Sequence, residues 1–332
     1  MKPEEYPLAV GGQAVLEGVM MRSPHALAVA VRLPDGSVLL KDEVYCSLTE
    51  RYPLLKRPLF RGPVILLEAM VTGVKALTFS AQAALQEEGD GKEEQPLGWG
   101  SITLTLGGAF LLAFLFFGFL PHWLSGLAGR LVGRALTPAD FTFHVIDGTL
   151  KALFILLYIW GISFFPDIRR VFEYHGAEHK SICTFEAGEE LTVANARRHP
   201  TAHARCGTSF ILVVLLVSIL IFTIFFPLFP PLTHTGLLNN LLQVVIKVGL
   251  MFPIAAVSYE IIRWGGKKSG HLLARLLLWP GLATQRLTAR EPDDPQLEVA
   301  LEALKAVLAR EQHPAAAEQV LLDQPHYVQC RH

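Results

Sequence analysis

The chain has 332 residues, 51% of them hydrophobic and only 18% charged, with a formal net charge of −1. Soluble domains carry roughly 25% charged residues. The apolar excess here is gathered into long runs, so composition points to an α-helical integral membrane protein rather than a soluble domain. The balanced charge leaves no basic field for nucleic acid, and no nucleic-acid partner is expected.

The opening MKPEEYPLAVGG is acidic and lacks an apolar core, so no cleaved signal peptide is expected. Residues 1–60 read as a small β-rich unit. In ALAVAVRL, Leu27, Val29, Val31 and Leu33 alternate onto one face. Pro34, Asp35 and Gly36 signal a turn, and SVLLKDEVY is the return strand. Upstream, GGQAVLEGVMMRSP opens on Gly11 and Gly12, a pair that implies a tight turn or a close backbone approach.

Residues 61–86 read as a helix with Pro63 in its first turn. Its polar side chains Glu68, Thr72, Lys75, Thr78 and Gln82 fill only about one third of the wheel. So broad an apolar face predicts a helix lying in the membrane interface or packed against the spans. The run EEGDGKEEQP makes residues 87–100 an acidic linker.

A bilayer core about 30 Å thick needs about 20 apolar residues in helix. Four runs meet this, over 101–121, 148–166, 208–229 and 241–264, giving two transmembrane hairpins, 101–166 and 208–264. Between them, residues 167–207 form a loop rich in His, Cys and Glu. Arg169, Arg170, Lys180, Arg197, Arg198 and Arg205 crowd that loop, and Arg263, Lys267, Lys268 and Arg275 follow the fourth span. The connection between the first two spans holds only Arg130 and Arg134. The positive-inside rule then places both termini and the middle loop in the cytosol. Lys151 and Lys247 fall toward the outer ends of their helices. They read either as snorkelling side chains or as a polar path, paired with Asp147 or Glu260. Residues 265–311 read as an interfacial segment followed by a cytosolic helix. That helix starts at Asp294 and Pro295 and carries Leu297, Leu301, Leu304 and Leu308 on one face. Residues 312–332 read as a loosely ordered tail. Four slender spans are compatible with a homo-oligomer.

The stretch YHGAEHKSICTFEAG supplies the chemistry. On a helix, with His175 at zero, His179, Cys183 and Glu186 fall at about 40°, 80° and 20° of the wheel. Glu178 lies about 60° to the other side, within reach of water on a shared cation. This is H-x-x-E-H logic: two imidazoles bind Zn²⁺ and the acid between them takes a proton from water. A second cluster, His199, His203 and Cys206, follows just before the third span. The ends of spans two and three share one side of the membrane, so the clusters can meet. Against this stands the plainer reading, in which the pentamer is a solvated helix face and Cys183 and Cys206 are small buried residues.

GGQAVLEGVMMR, EYHGAEHK, HARCGTSF, SYEIIR and QRLTAREPDD, in this order, make the chain resemble the YqhQ-like family of bacterial membrane proteins. That family has unknown function and carries the label of a predicted metal-dependent enzyme. The resemblance implies a bacterial cytoplasmic membrane location. It adds Glu17, Arg22, Arg205, Glu260, Glu291, Asp293 and Asp294 as candidates near a shared site, whereas His199 rests on spacing alone.

The expectation is four transmembrane helices with a small α+β cytosolic domain and a divalent-metal site, Zn²⁺ first. His175, His179 and His203 would be ligands, Cys206 or Glu186 next, and Glu178 the general base of a hydrolytic reaction on a lipid-linked compound or peptide at the cytosolic membrane face. The alternatives are a non-enzymatic scaffold, its metal structural or absent, and a transporter built around Lys247 and Lys151.

Overall fold

The computed structural model describes residues 8–85, 99–131, 140–228, 236–267 and 271–312, together with 133 and 136. Four strands come first: β1 Gly11–Val15, β2 Gly18–Arg22, β3 Ala26–Arg32 and β4 Val38–Val44. The helices follow: α1 Leu48–Arg51, α2 Pro58–Leu85, α3 Trp99–Ala113, α4 Leu120–Leu131, α5 Phe141–Ile162, α6 Pro166–Glu186, α7 Val193–Arg197, α8 Gly207–Leu228, α9 Gly236–Lys267, α10 Leu272–Thr288 and α11 Asp294–Gln312. One π-helical stretch, Phe114–Phe119, joins α3 to α4. The chain divides into two compact units. One comprises Met1–Gly89, Ile162–Phe210 and Tyr259–His332, the other Asp90–Gly161 and Ile211–Ser258.

The first unit is built on an antiparallel meander in the order β1-β2-β3-β4. Residues of β3 alternate in size, and each size meets a different helix. Leu27, Val29 and Val31 pack with Val15 and Met20 against Ala76 and Ala83 of α2. Ala26, Ala28 and Ala30 face the other way, into a core with Leu297, Leu301 and Leu304 of α11 and Tyr174, Ala177 and Ile182 of α6. Alanine on one face lets α11 approach closely, so its leucines fill the space that larger strand residues would occupy. The sheet is thus covered on both sides. The alternation predicts only one buried face, because alanine reads as neutral in a sequence pattern.

The glycine pair lies in strand rather than in a turn: Gly12 pairs with Met21, and β1 and β2 form a hairpin closed by Leu16 and Glu17. Such two-residue loops require positive φ, and Glu17 supplies it at φ 50°. A non-glycine residue there costs on the order of 1 kcal/mol or more. Glu17 is held in place by Arg170, which donates to both carboxylate oxygens at 2.5 Å, and by the Tyr174 hydroxyl at 3.3 Å.

In the second unit α3, α4 and α5 associate with the apolar lengths of α8 and α9. Gly148 of α5 sits against Ile219 of α8, where a Cβ would lie 2.3 Å from Ile219 Cγ1.

Among the described residues five helices, not four, are long and apolar enough to cross a membrane: Pro58–Ala84, Gly107–Leu131, Phe141–Ile162, Gly207–Leu228 and Val245–Gly266. The additional one is α2. Its scattered polar side chains disguise a helix whose Leu67, Met70, Val71, Val74 and Leu77 are exposed while Ala76 and Ala83 face the sheet. Part of the stretch read as the first extramembrane connection, from His122, is instead helical to Leu131. The acidic linker from 87 to 98 and the tail from 313 lie outside the described residues.

Candidate metal centre

Helix α6 carries the H-x-x-E-H motif. Pro166 occupies its first turn and Asp167 complements the helix dipole there. Its middle is buried: Tyr174, Gly176, Ala177, Glu178, His179, Lys180, Ser181 and Ile182. Gly176 makes that burial possible. A Cβ at this position would lie 1.8 Å from the carbonyl oxygen of Arg290. The chain leaving α10 therefore presses directly on α6, and Arg290 N–H donates to Phe172 O at 2.9 Å.

The close approach orients the first imidazole. His175 Nδ1 lies 2.7 Å from Thr288 O, and His179 Nδ1 lies 2.5 Å from Thr201 O. A carbonyl oxygen only accepts, so both rings carry their proton on Nδ1. Each then presents an Nε2 lone pair. His175 Nε2 is 3.2 Å from Cys206 Sγ. His179 Nε2 is buried and, among the described residues, makes no hydrogen bond of ordinary geometry, although its ring also interacts with Cys206. The ligand atoms of His175, His179 and Cys206 all lie within 4.8 Å of one another. One thiol proton cannot satisfy two lone pairs, so the apo arrangement leaves a buried acceptor unpaired. A cation bound by all three groups removes that deficit.

Cys206 is 7% exposed and precedes the first residue of α8. Thr208 N–H donates to its sulfur at 3.4 Å, and Thr208 Oγ1 lies 3.1 Å away. Burial depresses the pKa of His179 and His203 below the ordinary histidine value, so both rings favour the neutral, ligating form.

Glu178 points to the sheet side. Its carboxylate accepts the backbone N–H of Gly12 and interacts electrostatically with His175 and His203. A Cβ on Gly12 would lie 2.9 Å from Glu178 Cγ and 2.6 Å from Met20 O, so only glycine lets strand β1 approach this closely. Burial pushes the Glu178 carboxyl above its ordinary value, the direction a proton-transferring acid needs near neutral pH.

His203 lies at the margin. Its ring centroid is 5.7 Å from that of His179, and its Nε2 is 3.4 Å from Glu186 Oε2. Glu186 also pairs with Arg205. Gln285 fixes the His203 backbone by accepting its N–H and donating to its carbonyl, both at 2.8 Å.

The remaining candidates sit elsewhere. Glu17 binds Arg170, Arg22 lies 3.2 Å from the Tyr45 hydroxyl, and His199 faces Glu189 at 3.3 Å. Glu260 pairs with Arg61, Glu291 with Lys180 and Asp294 with Arg197, while Asp293 accepts the N–H of Gln296. Lys247 belongs to the other unit. Sequence reasoning missed Thr201, Thr288 and Gln285, which orient the ligands, and read Gly12 as a tight turn or a close backbone approach without linking it to Glu178. Two act through carbonyl oxygens, which any residue type carries. Only their place inside or beside the motif stretches signalled them.

Fold and cluster together define a chain with membrane-length apolar helices and a small sheet-and-helix unit holding a buried His₂Cys group. The family model described as "Protein of unknown function (DUF1385)" matches residues 57–310, and the chain belongs to that family. It is 32% identical over 323 residues to "Uncharacterized protein YqhQ" of Bacillus subtilis (strain 168), covering 94% of this chain and 96% of the relative. The motif resemblance thus identifies the family correctly. No solved structure matches the chain.

Proposed function

We propose that the chain is a membrane-anchored, metal-dependent enzyme whose centre is His175 Nε2, His179 Nε2 and Cys206 Sγ. The observation that carries this reading is the pair of contacts from His175 Nδ1 to Thr288 O and from His179 Nδ1 to Thr201 O, which leaves both Nε2 atoms near one sulfur. Carbonyl-anchored imidazoles are the usual outer support of a metal site. Two nitrogens and one sulfur suit Zn²⁺, and three protein ligands leave the fourth position of a tetrahedral catalytic site open. A divalent cation there supplies a Lewis acid that acidifies water and polarises a carbonyl or phosphoryl oxygen.

The chain's own groups do the rest. Glu178, adjacent to His179 and held by Gly12, accepts a proton from water and returns it to the leaving group. Its contact with a strand backbone fixes its position without neutralising it. The cluster of cationic residues around 167–207 supports a site at the cytosolic face of a bacterial cytoplasmic membrane, within reach of a lipid-linked or peptide substrate.

A second reading has His203 closing the coordination sphere as a structural fourth ligand, supported by its neutral ring 5.7 Å from that of His179. Cobalt-substituted protein separates the two. An open position predicts that a hydroxamate perturbs the visible d–d bands and that Glu178→Gln keeps the metal. Bands indifferent to hydroxamate favour the closed, structural centre and a scaffold. Failure to take up cobalt at all removes both.

A further inference from the structure

The unit of Asp90–Gly161 and Ile211–Ser258 holds a separate cluster of charged groups that the metal centre does not use. Asp147 of α5 is 3% exposed. Its Oδ2 accepts from Lys151 Nζ at 2.6 Å, while its Oδ1 is buried without a hydrogen-bond partner. Lys247 of α9 lies over the rings of Phe222 and Phe226 of α8, 5.8 and 5.3 Å from their centroids. It interacts electrostatically with Asp147 and Lys151. Its ammonium has these aromatic partners but no hydrogen-bond acceptor among the described residues. His122 packs edge-on to Phe143 at 4.9 Å, and His144 stacks on Phe226 at 5.3 Å. Two lysines against one aspartate leave an excess positive charge.

Depth decides what this cluster can do. Asp147 lies six residues into α5, Phe226 two residues before the end of α8, and Lys247 six residues into the apolar run that begins at Leu241. At about 1.5 Å per residue, each is within roughly 10 Å of the end of its apolar helix. That is the outer third of the hydrocarbon layer rather than its centre, a depth from which a long lysine side chain reaches the headgroups. Residues 152–161, 211–221 and 248–258 carry no Asp, Glu, Lys or Arg. A relay of ionisable groups to the opposite face is therefore missing from these stretches, and a proton or ion path is not served. What remains is an amine without a hydrogen-bond acceptor and a carboxylate oxygen without a donor, in electrostatic contact with each other. A bare phosphate satisfies Lys247 but leaves Asp147 Oδ1 facing an anion.

We propose that Asp147, Lys151 and Lys247 form a binding site for a phospholipid headgroup, the phosphodiester on the lysines and a hydroxyl or ammonium donor of the same headgroup on Asp147 Oδ1. This assignment is independent of the metal centre. The test uses the full chain in detergent, with native mass spectrometry for retained lipid and thermal melting for stabilisation. Phosphatidylglycerol and phosphatidylethanolamine carry donors, whereas phosphatidylcholine does not. The first two are expected to bind about tenfold more tightly than the third, the size of one charge-assisted hydrogen bond. Lys247→Gln is expected to lose about tenfold in phosphatidylglycerol affinity and Lys247→Arg to keep it. Equal retention of all three lipids, or an unchanged Lys247→Gln, overturns the assignment. So does inorganic phosphate reproducing the full stabilisation, which marks a soluble-anion site. Should Lys247→Gln not purify folded, the wild-type lipid order decides alone.

Discussion

Gly176 and Gly12 set the geometry of the centre although neither is a ligand. Gly176→Ala forces Arg290 O away from α6, and with it Thr288 O, the acceptor that orients His175. The expected result is a loss of metal affinity of about 10–100-fold, the range for a lost outer-shell partner, read by competition with a chromogenic chelator. Unchanged affinity would show that Thr288 does not orient the ring. Protonation acts on the side chains that these glycines surround. In chelated protein, burial holds His179 and His203 below their ordinary value of 6.5, so the unfolded chain binds more protons below that pH. Their contribution to stability is present above 6.5 and lost as pH falls through the depressed values. Glu178 works oppositely. Its pKa is raised above 4.5, so its contribution is full below 4.5 and lost as pH rises through the raised value. Two histidines against one carboxyl predict a melting temperature that falls between about pH 7 and about pH 5.5. A rise over that interval would mean that Glu178 dominates.

Helix α11 illustrates what one element contributes. Leu304 is fully buried against the alanine face of β3 and against α6. Leu304→Ala is expected to cost about 2–5 kcal/mol, measured by thermal or denaturant unfolding in detergent. A loss under 1 kcal/mol would show that α11 docks loosely. This helix was legible in advance because its cap, its proline and its leucine spacing all coincide. The hairpin of β3 and β4 was legible for similar reasons: alternation and a Pro-Asp-Gly turn. Strands β1 and β2 were not. Their glycines read as a tight turn or a close backbone approach, and the second alternative holds, since Gly12 is needed where the Glu178 side chain presses on the strand. Helix α2 was legible as a helix but not as one of five membrane-length elements, because its polar residues are spread along its length and short ones such as Thr72 bond back to the helix backbone.

Across the whole molecule, sequence periodicity gave the stripe of His175 and His179, and proximity of two helix ends brought Cys206 to it. It could not separate Cys206 from His203, since the choice depends on which group the turn at 203–206 aims inward. Nor could it show that Glu186 is engaged by Arg205, because that pairing is set by tertiary packing. The central claim is that this centre takes a metal through two nitrogens and one sulfur. Metal analysis of purified protein, combined with X-ray absorption at the metal edge, tests it most directly. The account predicts about one zinc per chain, with sulfur at about 2.3 Å and nitrogen at about 2.0–2.1 Å, and loss of that metal in the folded double variant His175→Ala with His179→Ala. Metal-free wild-type protein that takes up no zinc on addition, or a metal spectrum without sulfur, would contradict it.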